Sequence, residues 1–181
     1  RYLLICFVVA AAVLNVVLWL MRGGNMAWQA AQPDWAIYLA LILITSPLQA
    51  AAEEFFFRGY LQQAIGSLAG RAWVGVACSA LVFAIFHGEQ NVALFAHRLG
   101  FGLIAGTLVW ATGGLEAAIA VHVANNVFAF GYALFTGGVA TLKATSAISW
   151  EAACSDLASF AVFGALAWWI GRRMHVATLT P

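Results

Sequence analysis

Charge is what this sequence has least of: 8% of its 181 residues are Asp, Glu, Lys or Arg, against about a quarter in an ordinary soluble domain. Such a chain cannot cover the surface of a water-soluble globule. Its eight basic residues never gather beyond the pair Arg172-Arg173, and the formal net charge is +1. Nothing here neutralises a row of phosphates, so nucleic acid is excluded as a partner. Cysteine is also sparse. Cys6, Cys78 and Cys154 lie far apart in or beside apolar runs without Cys-x-x-Cys spacing, which argues against a disulfide framework or a zinc knuckle. Internal repeats and low-complexity tails are missing as well.

What is abundant is apolar side chain, at 64% of the residues with a mean hydropathy of +0.91. A membrane helix needs about 20 apolar residues, and hydropathy with Gly and Pro punctuation divides the chain into six helices. The expected fold is all-α, a polytopic membrane helix bundle of about six transmembrane helices. Residues 1–181 then form a single integral membrane domain with a motif core at about 35–135. The first helix covers 2–21, too long for the apolar part of a signal peptide, and ends at Arg22-Gly23-Gly24-Asn25. Pro33-Asp34 marks the entry to the second, which starts near Trp35, is expected to kink at Thr45-Ser46-Pro47, and runs to Ile65 before Gly66. The third is expected at 71–87, the fourth at 99–111, the fifth at 115–135 and the sixth at 152–170, with 88–98 as an interfacial connection. Trp168-Trp169 and Arg172-Arg173 form an aromatic belt with a basic anchor. Arg1, Arg71, Arg172 and Arg173 on one side, against Arg22, Arg98 and Lys143 on the other, favour cytoplasmic termini. The expected location is the cell membrane, as a multi-pass protein of bacterial inner-membrane type.

Ionisable residues inside apolar spans cost a few kcal/mol each on insertion scales, so each is a functional-site hypothesis. The chain has three such points: Glu53-Glu54 with Arg58 in the second helix, His87 in the third, and His122 with Asn125-Asn126 in the fifth. Glu54 and Arg58 are four apart and share a helical face, whereas Glu53 is turned about 100° away. Glu54 is thus the paired carboxylate. Glu53 is left to meet something else, in surroundings that suit a general base. Rise per residue counted from the turns at Gly66–Gly70 and Gly113-Gly114 brings the three points to similar depth, converging on one cluster. His122 and Asn126, spaced i, i+4, suit two donors aimed at one oxygen, with Asn125 as the fallback. The bland alternative is that these polar groups are interhelical glue. His97, Glu89 and Glu116 fall at expected helix ends and are set aside as solvated or capping residues.

Glu53-Glu54-x-x-x-Arg58, then Phe83-x-x-x-His87, then His122-x-x-x-Asn126, in that order on successive apolar helices, resembles the CPBP family of intramembrane proteases. That family includes the type II CAAX prenyl endopeptidases and bacteriocin-processing, Abi-like proteins. The resemblance runs from Glu53 to about Asn126. It implies an endopeptidase acting in the lipid bilayer on a membrane-attached peptide or protein near its terminus. Glu53 and His87 would activate a water, and His122 and Asn126 would hold the oxyanion. Glu54 and Arg58 carry over as motif residues. Glu53, His87 and His122 are also plausible zinc ligands, but there is no His-Glu-x-x-His, and the donor character of Asn126 suits an oxyanion better than a zinc shell. The expectation is therefore a glutamate mechanism without metal or other cofactor. Rhomboid-type Gly-x-Ser-Gly and aspartyl-type Gly-x-Gly-Asp motifs do not occur. The alternative from another class is a small proton-coupled transporter or a non-catalytic membrane partner, in which Glu53, His87 and His122 form a proton relay.

Overall fold

The computed structural model describes residues 1–21, 28–176 and 178. Every regular element among them is helical. Helix α1 is Tyr2–Met21 and α2 is Trp35–Glu54, which runs on without a break through a π-helical segment, Phe55–Leu61, into α3, Gln62–Ala69. Helices α4 (Ala72–Ile85), α5 (Val92–Thr112), α6 (Glu116–Ala133), the short α7 (Val139–Lys143) and α8 (Trp150–Arg173) follow. The expected close of the first helix at Arg22-Gly23-Gly24-Asn25, and the place of Arg22 in the charge bias, lie outside the described residues.

Among the described residues four helical stretches are long and apolar enough to cross a membrane: Tyr2–Met21, Trp35–Ala69, Val92–Thr112 and Trp150–Arg173. The other two expected spans are present as helices of different character. Helix α4 has 14 residues, and α6 has 18, among them Glu116, His122, Asn125 and Asn126, whose polarity dilutes it. Burial is inverted relative to a soluble protein. Leu68 is 90% and Phe86 75% exposed, while Glu54 and Arg58 are 0% exposed. An apolar exterior around a charged interior suits a bilayer as solvent.

Two expectations need correction. The second helix, which contains Pro47, ends not at Ile65 but at Ala69, where Gly70 takes a left-handed conformation, φ 64°. The connection expected over 88–98 is mostly helix, since α5 starts at Val92. Asn91 caps it by accepting the Leu94 N–H at 2.9 Å. His97-Arg98 lowers local hydropathy there and hides the helix start. A short helix, α7, lies in the stretch between the fifth and sixth expected spans.

The packing order runs α2–α3, α4, α5, α8, α1, α6 and back to α2, and α6 also reaches α5 and α8. Helix α6 therefore closes the ring from the inside. Small residues set the approach of α5 and α3 to α4. A Cβ on Gly75 would lie 2.1 Å from the Gln62 carbonyl oxygen, and one on Gly102 would lie 2.8 Å from the Ala80 Cβ. Such contacts let backbones meet where lipid tails supply no hydrophobic drive between helices. At the same seam Gln62 donates through Nε2 to the Gly106 carbonyl at 3.0 Å. At the C-terminal end of α8 the Arg172 and Arg173 guanidinium groups lie 5.4 and 5.3 Å from the Trp168 and Trp169 ring centres, the arrangement expected of the aromatic belt.

Candidate active site

The Glu53-Glu54 pair closes α2 where the chain changes from α to π geometry. In the π segment the Gln62 N–H bonds back five residues to the Phe57 carbonyl, which also accepts from Ser79 Oγ on α4 at 2.6 Å. Such a local change of register recurs at functional sites. Arg58 Nη1 donates to Glu54 Oε1 at 2.9 Å, with both side chains at most 1% exposed. This is the pairing that the i, i+4 spacing predicts. Arg58 is also boxed by aromatic rings, its Cζ lying 4.5 Å from the Phe83 ring centre, 5.6 Å from that of Phe101 and 5.9 Å from that of Phe57. The ring faces offset part of the desolvation of a guanidinium whose Nε and Nη2 have no hydrogen-bond partner among the described residues.

The same Glu54 Oε1 accepts a second bond, from His122 Nδ1 on α6 at 2.7 Å. His122 Nε2 lies 3.7 Å from Glu53 Oε2. The imidazole thus bridges the two carboxylates, a contact between helices that no sequence spacing encodes. Glu53 differs from its neighbour in kind: its side chain is 25% exposed, and its Oε1 accepts from Gln49 Nε2 at 3.0 Å. Residue 87 lies in the turn after α4, where His87 Nδ1 donates to the Phe83 carbonyl at 2.7 Å. That bond fixes the tautomer and leaves Nε2 as an acceptor. On α6, Asn125 Nδ2 donates to Asn126 Oδ1 at 3.3 Å, which leaves the Asn126 amide N–H groups free to donate elsewhere.

Glu53, His87, His122, Asn125 and Asn126 line one cavity of about 500 Å³. Glu54 and Arg58 are not among its lining residues and stand behind it. Glu53 and His87 also border a second, apolar hollow of about 560 Å³ with Ala52, Phe56, Phe57 and Phe86. His97 and Arg98, one set aside from the sequence and the other left in a connection, line the main cavity as well. His97 Nε2 faces Asp156 of α8 at 3.4 Å. The one cue in the sequence was their polarity inside what is in fact an apolar helix.

Glu53, His87 and His122 were the candidate zinc ligands. Among the described residues no three His, Cys, Asp or Glu side chains assemble with the geometry to hold a metal ion.

Residues 34–128 match the family model described as type II CAAX prenyl endopeptidase Rce1-like, a stretch that takes in all three motifs. The chain is also 34% identical over 107 residues to the uncharacterized protein YyaK of Bacillus subtilis (strain 168), an alignment covering 56% of this chain and 35% of that protein. The chain spans about a third of the length of this curated relative. No solved structure matches this chain.

Proposed function

The chain belongs to the type II CAAX prenyl endopeptidase Rce1-like family, and from that membership we propose that it is an intramembrane endopeptidase cleaving a membrane-attached peptide or protein near its terminus. The observation that carries the reading is the shared cavity of Glu53, His87, His122 and Asn126, backed by a buried Glu54–Arg58 pair.

In the proposed reaction a water sits between Glu53 and His87. Glu53 takes one proton from it, and His87 Nε2 accepts a hydrogen bond from the other. The resulting hydroxide adds to the substrate carbonyl carbon, and the carbonyl electron pair becomes an oxyanion. Asn126 Nδ2 and His122 Nε2 donate to that oxygen. Because Nδ1–H of His122 is spent on Glu54, donation from Nε2 requires the ring to carry both protons. Glu53, Glu54, Arg58 and His122 then sum to zero charge, which suits a site inside a bilayer. Collapse of the intermediate breaks the C–N bond, and the proton held by Glu53 passes to the leaving amine. No step uses a metal. The apolar hollow beside Glu53 and His87, edged by exposed Phe56 and Phe86, gives a membrane-anchored substrate a lateral approach.

Comparative proteomics of membrane-attached proteins, in cells making either the native chain or Glu53→Ala, tests the reading. Shortened products should appear with the native chain alone, and should persist when isolated membranes are treated with a strong chelator. No product dependent on the native chain would contradict protease function. Loss on chelation with recovery on adding zinc would contradict the metal-free mechanism.

A further inference from the structure

We propose that Arg98 and Gln90 form a clamp that sets the position of His87, making both positioning residues for the reaction proposed above, on which this inference rests. His87 lies beyond the last residue of its helix, tied back to it by the Nδ1 bond to the Phe83 carbonyl at 2.7 Å and a long N–H bond to the Ala84 carbonyl at 3.4 Å. Helix α4 ends at Ile85, and His87 lies in the turn that follows, just before Gly88, whose φ of 76° lets the chain reverse there. The backbone bonds that continue α4 into this turn are long, His87 N–H to Ala84 at 3.4 Å and Gly88 N–H to Ile85 at 3.3 Å, so a catalytic group placed there gains from anchoring by a neighbouring element.

The anchoring comes from the turn itself and from α5. Gln90 Nε2 donates to the Ala84 carbonyl at 2.7 Å. Arg98 Nη1 then donates to Gln90 Oε1 at 2.7 Å and to the His87 carbonyl at 3.3 Å. The far end of the turn is pinned where the Asn91 N–H donates to the Ser146 carbonyl at 2.7 Å and Asn91 Nδ2 to that of Ile148 at 2.9 Å. Arg98 forms no ion pair with a carboxylate among the described residues, so its hydrogen-bonding work is this turn. The clamp and the Phe83 carbonyl together fix backbone and ring, and a catalytic group displaced by about 1 Å can lose on the order of 10²-fold in rate.

The test uses the full chain in lipid vesicles with a panel of fluorogenic peptides anchored by a prenyl group, an acyl chain or a transmembrane helix. On the peptide cleaved fastest, Arg98→Ala and Gln90→Ala should each lower kcat by about 10–100-fold while KM stays within about threefold. The double variant should be no slower than the worse single one, because both remove one clamp. Arg98→Lys, which keeps a cation with three donors, should recover most of the rate. Amide hydrogen exchange over 86–90 should speed up in Gln90→Ala, a readout independent of activity, and this variant decides the matter if Arg98→Ala does not fold. Unchanged kcat in the single variants, additive losses, a rise in KM alone, or unchanged exchange would each overturn the clamp. If Glu53→Gln cleaves as fast as the parent, the protease reading itself falls; if Glu53→Gln is inactive while Arg98→Ala and Gln90→Ala are fully active, the clamp alone falls.

Discussion

Glu53 and Glu54 are adjacent and identical in chemistry, yet the fold gives them opposite surroundings. Glu54 has no exposed surface and two hydrogen-bonded partners, Arg58 and His122, whereas Glu53 opens on two cavities. Replacing Glu54 with Ala strands Arg58 as an unpaired buried cation and removes the acceptor that orients His122. Thermal stability should fall by about 3–5 kcal/mol by analogy with broken buried pairs, and activity should fall with it. Adding Arg58→Met to Glu54→Ala should restore folded protein in the membrane without restoring full activity, since His122 remains unoriented. Equal abundance and melting temperature of Glu54→Ala and the parent would contradict this. The pair itself is legible in the sequence because both residues sit on one helix, where spacing converts directly to a shared face. The His122–Glu54 bond is not legible, because it depends on how α6 is rotated against α2, and nothing in either helix states that rotation.

At the scale of elements, the boundaries that hydropathy finds are the ones set by Gly, Pro and Asp. The start of α2 after Pro33-Asp34 is found, as is the break at Gly113, whose φ is 73°. Boundaries blurred by function are missed. Helix α5 starts earlier than expected because His97 and Arg98 make its first turns look interfacial, and α6 falls short of a simple apolar span because it carries His122, Asn125 and Asn126. The π-helical segment has no sequence cue that separates it from the α-helix on either side. Close packing does have one, in the glycines. Gly75→Ala would push a Cβ to 2.1 Å from the Gln62 carbonyl oxygen, so α3 and α4 must separate. The expected cost is about 1–3 kcal/mol, read as a lower melting temperature in detergent. Gly131→Ala, whose Cβ meets nothing within 4 Å, is the control and should be near neutral. Similar melting temperatures for the two variants would show that the seam yields without cost.

The whole molecule is a ring of helices closed from within by α6, which turns its polar residues toward the polar end of α2 and the turn after α4. Apolar side chains cover the outside, and the charged cluster is set in the interior, where each member is either paired or borders a cavity. Three polar points separated by tens of residues can meet only because the continuous helix from α2 through α3 packs against α6 along one part and against α4 along another, and the helix pattern in the sequence makes that convergence foreseeable to within a turn or two. The division of labour among them rests on Glu53 as the base. Its most direct test is the initial rate of cleavage of a vesicle-anchored reporter peptide by equal amounts of folded parent and Glu53→Gln protein. The change keeps size and an acceptor for Gln49 and removes only basicity, so the rate should fall at least ~10²-fold with melting temperature nearly unchanged. A folded Glu53→Gln protein that retains more than about a tenth of the parent rate would contradict the account.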